Sequence, residues 1–181
     1  MSPRAAFAVR SVRTEELPRL QEVERAAGRA FADIGMPEIA EDDPPPLDEL
    51  ARFAALDACW VAVSRGTGTV VAYLLAEPVD GGLHVEQVSV HPEAARRGVG
   101  RTLLDHAAAR AGAVGAAALT LTTFTEVPWN APYYVRIGFR VLDENELTPG
   151  LREIRQREAA HGLDRWPRAV LWRPVGAGPS A

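Results

Sequence analysis

The chain has 181 residues, a length for one domain or one domain with additions. Apolar residues make up 47% and charged residues 24%, as in an ordinary globular protein, and a formal net charge of −4 argues against a nucleic-acid binder, whose domain would be basic. A single cysteine, Cys59, excludes an internal disulfide framework and a CxxC metal site, and His84, His91, His106 and His161 show no ligand spacing such as HExxH.

In chain order, the N-terminal "MSPRAAFAVRSVR" lacks the apolar core of a signal peptide, and no apolar run is long enough to span a bilayer, so a cytoplasmic protein is the expectation. Ala6 to Arg13 alternates like a strand. Thr14 then caps a helix with Glu15 and Glu16 in its first turn, where the dipole favours acids, and Pro18 is tolerable that early. Leu17, Leu20, Val23 and Ala27 recur at helical spacing. "GMPEIAEDDPPP", from Gly35 to Pro46, is expected to be a loop, because its prolines stop a helix. A short helix follows over Leu47 to Ala55. Strands over Ala58 to Ser64 and Thr69 to Val79 flank the hairpin turn "RGTG". A third strand, Leu83 to Val90, ends at His91-Pro92. A helix from Gly98 to Ala113 and a β-branched strand from Ala118 to Phe124 come next. "WNAPYYVRIGF" predicts a helix over Trp129 to Phe139 stopped by Gly138. "FRVLDEN" starts a short strand, Leu151 to His161 a polar helix, and Arg168 to Pro174 a last strand. Disorder is expected in the tail "VGAGPSA". Together these predict an α/β (α+β) fold with a mixed sheet and helices on both faces, and the hairpins exclude a fully parallel doubly wound sheet. There is no internal repeat.

Chemistry concentrates in "VSVHPEAARRGVGRTLLDHA". A strand ends, a basic glycine turn follows and a helix starts. The first N–H groups of a helix have no internal partner and, with the dipole, make an anion site. Gly98 and Gly100 open that backbone to an anion, and Arg96, Arg97 and Arg101 add donors suited to phosphate. A Walker loop is absent, and a Rossmann turn would need a glycine where Leu103 stands.

The stretch resembles the coenzyme A signature of the GNAT superfamily of N-acetyltransferases, Q/R-x-x-G-x-G/A. It maps onto Ala95, Arg96, Arg97, Gly98, Val99 and Gly100, with alanine at the first position in place of Gln or Arg. Downstream, "WNAPYYVRIGF" is similar to the family's helix ending in Tyr-x-x-x-Gly-Phe, here Tyr134, Gly138 and Phe139. The Asn that the family often has seven residues before the tyrosine is Val127 here, with Asn130 four before.

The resemblance implies one acyltransferase domain over 1–175 with a disordered tail over 176–181, and a mostly antiparallel sheet of six or seven strands splayed at the cofactor-binding strand. It implies acetyl transfer from acetyl-CoA to a primary amine by direct attack in a ternary complex, without metal. The alternative is a non-catalytic CoA or acyl-CoA sensor of the same fold. Val88, Ser89 and Val90 would meet pantetheine and the thioester. Arg96, Arg97, Gly98, Val99, Gly100, Arg101 and Thr102 would hold the pyrophosphate, and Asn130 the pantetheine arm. Tyr134 matches the tyrosine that protonates the departing thiolate. For the base the residues leave alternatives open: Glu86 and His84 share one strand face, and Glu86 is an acid amid apolar neighbours that needs a partner or a purpose. The acceptor is expected to be a small-molecule or peptide amine, with no nucleic acid or membrane as partner. Its walls would be Glu22 to Phe31, Glu38 to Asp43 and the Trp129 loop, whose acids suit a cation. Dimerisation through a sheet edge or helix suits such a fold.

Overall fold

The computed structural model describes residues 6–176. The elements in chain order are β1 (Phe7–Ser11), α1 (Leu17–Gly28), α2 (Pro37–Ala40), α3 (Leu47–Ala55), β2 (Cys59–Ser64), β3 (Val70–Val79), β4 (Gly82–Val90), α4 (Val99–Ala113), β5 (Ala118–Phe124), α5 (Ala131–Arg136), β6 (Arg140–Val141), α6 (Pro149–Ala160) and β7 (Arg168–Pro174). The strands run in the order β1-β2-β3-β4-β5-β7-β6. β1 with β2, β2 with β3, β5 with β7 and β6 with β7 pair antiparallel.

β4 and β5 are the parallel pair, joined by the crossover through α4, as parallel strands require. Their pairing covers three positions, from Leu83↔Leu119 to Val85↔Leu121, although β4 runs on to Val90 and β5 to Phe124.

By its contacts the chain divides into two units, residues 1–76 with 87–106 and residues 77–86 with 107–181. The first has a core of Leu17, Leu20 and Val23 from α1, Leu50 and Phe53 from α3, and Cys59, Val61, Val63, Val70, Tyr73 and Leu75 from β2 and β3. The alternation 59, 61, 63 is the period of two that a sheet imposes, and 17, 20, 23 is the helical stripe facing it. Each large side chain so buried contributes roughly 1.5–3 kcal/mol. Cys59 is a core residue, its thiol pushed up to about 12 by burial. The second unit has a smaller cluster in which Leu151 and Ile154 of α6 meet Val170 of β7, with Val79, Leu142 and Leu147 against them.

Several boundaries differ from the sequence expectation. Thr14 does not cap α1. It opens a 3-10 turn, Thr14–Glu16, and the Glu16 carboxylate accepts from the Arg13 N–H at 2.9 Å and from Arg10 at 2.6 and 2.9 Å. The proline-rich loop holds a helical turn, α2, because Pro37 occupies the first position of a helix, where its missing N–H is not needed. α5 is shorter than its apolar pattern: Asn130 has a non-helical ψ of −116° and Gly138 a φ of 101°. α6 starts two residues early, at Pro149, because the Gly150 N–H donates to the Asp80 carboxylate at 2.7 Å. A Cβ on Gly150 would stand 2.7 Å from Val79 Cγ1, so only glycine permits that approach. Val175, expected in the tail, donates to Ala117 O at 3.0 Å, while residues 177–181 lie outside the described part of the chain. Among the described residues no helix is long and apolar enough to cross a membrane.

Candidate active site

In the first unit, β4 ends where the His91 N–H donates to Val71 O at 2.8 Å, and a 3-10 turn, Pro92–Ala94, leads into the basic stretch. Two residues there have left-handed backbone, Arg96 at φ 59° and Gly98 at φ 76°. For arginine this conformation is uncommon and strained, and such strain gathers at functional sites. The turn delivers the chain into the fifteen-residue α4. The Thr102 N–H and hydroxyl both donate to Gly98 O at 3.0 Å. Val99, Gly100 and Arg101 precede that first closed turn, so their N–H groups lack intrahelical acceptors at the positive end of the dipole.

The side chains of the stretch divide the work. Val99 is buried and anchors the helix start. The Arg97 guanidinium lies 4.7 Å over the Phe7 ring, tying the turn to β1, and Arg101 Nε stands 3.8 Å from Asp105. Arg96 is exposed. Gly98 is the position whose φ demands glycine, whereas Gly100 lies within the helix. A Cβ built on Gly98 meets nothing within 4 Å. The backbone there is open to a ligand, and the residues present fit a pyrophosphate.

Val88, Ser89 and Val90 are the last residues of β4. The Ser89 side chain belongs to a cluster that the sequence did not reveal. Glu24 of α1 accepts from Tyr73 Oη at 2.7 Å, from Gln87 Nε2 at 2.7 Å and from Ser89 Oγ, while Gln87 Nε2 also donates to Ser89 Oγ at 2.9 Å. Sequence reading placed Glu24 only on a wall of acids. The available signal was the pair of polar residues, Gln87 and Ser89, two apart in an otherwise apolar strand.

The second unit holds His84, Glu86, Asn130 and Tyr134. His84 is fully buried, its Nδ1 is 2.9 Å from Thr120 Oγ1, and its Nε2 is 4.0 Å from Glu86. Burial lowers its pKa to about 4, so it is neutral at pH 7 and the contact with Glu86 is not an ion pair. The Glu86 side chain is 30% exposed. Burial of its carboxyl and a hydrogen bond and like charge from Glu77 push it up to about 8. Glu77, which the sequence did not single out, is thus the partner that an acid in this strand requires.

Tyr134 is buried, its ring edge-on to Phe139 at 5.7 Å and to Tyr133 at 5.5 Å. Burial, then Tyr133, push the phenol above its usual range. Among the described residues its hydroxyl has no hydrogen-bond partner. Asn130 precedes α5, with its carbonyl accepting from the Tyr134 N–H at 3.0 Å and no side-chain cap. Val127, at the position of the family's Asn, is buried. No group of three His, Cys, Asp or Glu among the described residues could hold a metal ion.

The model of the acetyltransferase (GNAT) family matches residues 20–139. Similar solved structures include N-acetylglutamate synthase from Neisseria gonorrhoeae complexed with coenzyme A and N-acetyl-glutamate. There the TM-score is 0.67 at 14% identity, and the match covers 94% of this chain but 35% of that one. The PaiA N-acetyltransferase of Thermoplasma acidophilum in complex with coenzyme A matches at TM-score 0.67 and 15% identity, covering 93% of this chain and 99% of that one. The ribosomal-protein-S18-alanine N-acetyltransferase of Escherichia coli matches at TM-score 0.63 and 19% identity, covering 97% and 98%. At these identities the likeness is one of fold.

Proposed function

The chain belongs to the acetyltransferase (GNAT) family, and from that premise we propose that it transfers an acetyl group from acetyl-CoA to an amine by direct attack in a ternary complex. The observation that carries this reading is the left-handed turn at Arg96 and Gly98 opening α4, with its N–H groups free of intrahelical acceptors. An anion of pyrophosphate type satisfies those N–H groups and the dipole together. Arg96 and Arg101 add charge, while Arg97, stacked on Phe7, holds the turn. Val88 to Val90 follow Val85, the last β4 residue in register with β5, and in this reading their amides meet pantetheine and the thioester oxygen.

In the step itself the amine lone pair forms the C–N bond at the thioester carbon, the C–S bond breaks, and the departing sulfur takes a proton. Tyr134 supplies that proton, and Glu86 removes the one the amine must lose. A carboxyl at about 8 is a better base near neutral pH than one at its ordinary value. His84, neutral and bonded to Thr120, is a packing and positioning neighbour of Glu86 in this reading, and Asn130 is assigned to the pantetheine arm.

The test is thiol release from acetyl-CoA over a panel of primary amines. Turnover that requires an amine supports the reading, and tight acetyl-CoA binding without turnover on any amine would favour a sensor. Glu86 must be ionised to act, so kcat/KM is expected to climb with pH and level above about 8. Glu86→Gln should remove that climb, and an unaltered profile in the variant would exclude Glu86 as the base. For stability, a raised carboxyl keeps its proton in the folded state. Its contribution is therefore present below the ordinary carboxylate range and is lost as pH rises through about 8.

A further inference from the structure

We propose that the Glu24 cluster is an ammonium-binding subsite that selects positively charged acceptors, an inference that rests on the acetyl-transfer reading. The donor count carries it. The Tyr73 hydroxyl and the Ser89 hydroxyl each spend their one hydrogen on Glu24. The Gln87 amide directs its Nε2 to Glu24 and to Ser89 Oγ. Every side-chain donor of the four residues is thereby used within the cluster. What remains is acceptor capacity only: one lone pair on Glu24 Oε1, since Oε2 already takes both hydroxyls and Oε1 takes Gln87, and the Gln87 carbonyl oxygen.

Among the described residues no cation stands against Glu24, so its negative charge is held by three neutral donors alone. Glu24 and Gln87 are half-buried, while Tyr73 and Ser89, the two hydroxyls that fix the carboxylate, are buried. A site with fixed charge and spare acceptors but no spare donors complements a group with several N–H bonds, a positive charge and no lone pair. A primary ammonium is such a group. The anionic phosphates of acetyl-CoA are the wrong sign for it. Ser89 also places the carboxylate one hydrogen bond from the strand segment assigned to the thioester.

The experiment uses the full chain and four probes, spermidine, 1,5-diaminopentane, kanamycin and a lysine-containing peptide, with thiol release as the readout. At least one is expected to be acetylated. For that probe Glu24→Gln, which keeps the acceptor shape but removes the charge, is expected to raise KM by about tenfold or more, since hydrogen bonds to charged groups are among the strong ones. The affinity for acetyl-CoA should stay within about twofold, because the glycine turn is untouched. A mere clamp between α1 and the sheet would lower the melting temperature and leave KM alone. Unchanged KM in Glu24→Gln overturns the proposal, as does binding of acetyl-CoA with none of the four amines acetylated. Failure to bind acetyl-CoA at all would instead remove the acetyl-transfer reading beneath it. Should Glu24→Gln not fold, titration of the wild-type protein with spermidine decides the matter. Movement of the Gln87 side-chain amide resonance is expected, and its constancy at saturating amine counts against the subsite.

Discussion

Replacing Gly98 by valine is expected to weaken acetyl-CoA binding by about tenfold or more while the protein still folds, a change of about 1.4 kcal/mol or above. Nothing lies within 4 Å of a Cβ at this position, so the substitution creates no clash. Its effect comes through the backbone. Gly98 has φ 76°, a conformation that costs an L-residue roughly 1–2 kcal/mol and a β-branched one at least as much. If the turn holds, stability falls by about that amount, a few degrees in melting temperature for a chain of this size. If the turn relaxes, the N–H groups at the start of α4 swing away from the anion. Calorimetry with acetyl-CoA, beside thermal denaturation, separates the two. Normal affinity in a Gly98→Val protein whose melting temperature is also unchanged, so that the turn has relaxed at no cost to binding, would mean that the turn is only a turn. Gly100, inside the helix, should tolerate alanine better.

Tyr134→Phe is expected to lower kcat by about 10²-fold or more, the ordinary contribution of a positioned general acid, with acetyl-CoA affinity unchanged. The ring packs edge-on against Phe139 and Tyr133, contacts that phenylalanine keeps. Because the hydroxyl bonds no described residue, removing it should leave the melting temperature where it was. Burial holds the phenol protonated well beyond neutral pH, so it is available to a departing thiolate whose own pKa is about 8.5 by analogy with cysteine. Full turnover in the variant on any amine would remove Tyr134 from the chemistry.

The elements easiest to read in the sequence were those whose local pattern and tertiary role agree. α3, β5 and β7 stand where periodicity put them, and α4 begins within one residue of expectation. The misplaced boundaries were set by distant partners: Asp80 drawing in Gly150 from seventy positions away, and Ala117 holding Val175. The glycine turn was legible because its chemistry is local and compressed into a few residues. The Glu24 cluster was not, because Glu24 is one of two acids in α1 with nothing local to set it apart from Glu22, and its partners lie 49, 63 and 65 positions along the chain. Glu86 drew notice as an acid among apolar neighbours, but its partner Glu77 sits on the preceding strand, and no local pattern marks it.

The most direct test of the central claim is calorimetric titration of the wild-type protein with acetyl-CoA, run beside an analogue that lacks the pyrophosphate. Micromolar binding of acetyl-CoA that is lost with the pyrophosphate is the predicted result, since the α4 turn is read as the site that holds it. Equal affinity for both compounds, or none for either, would contradict the assignment of that turn to the cofactor.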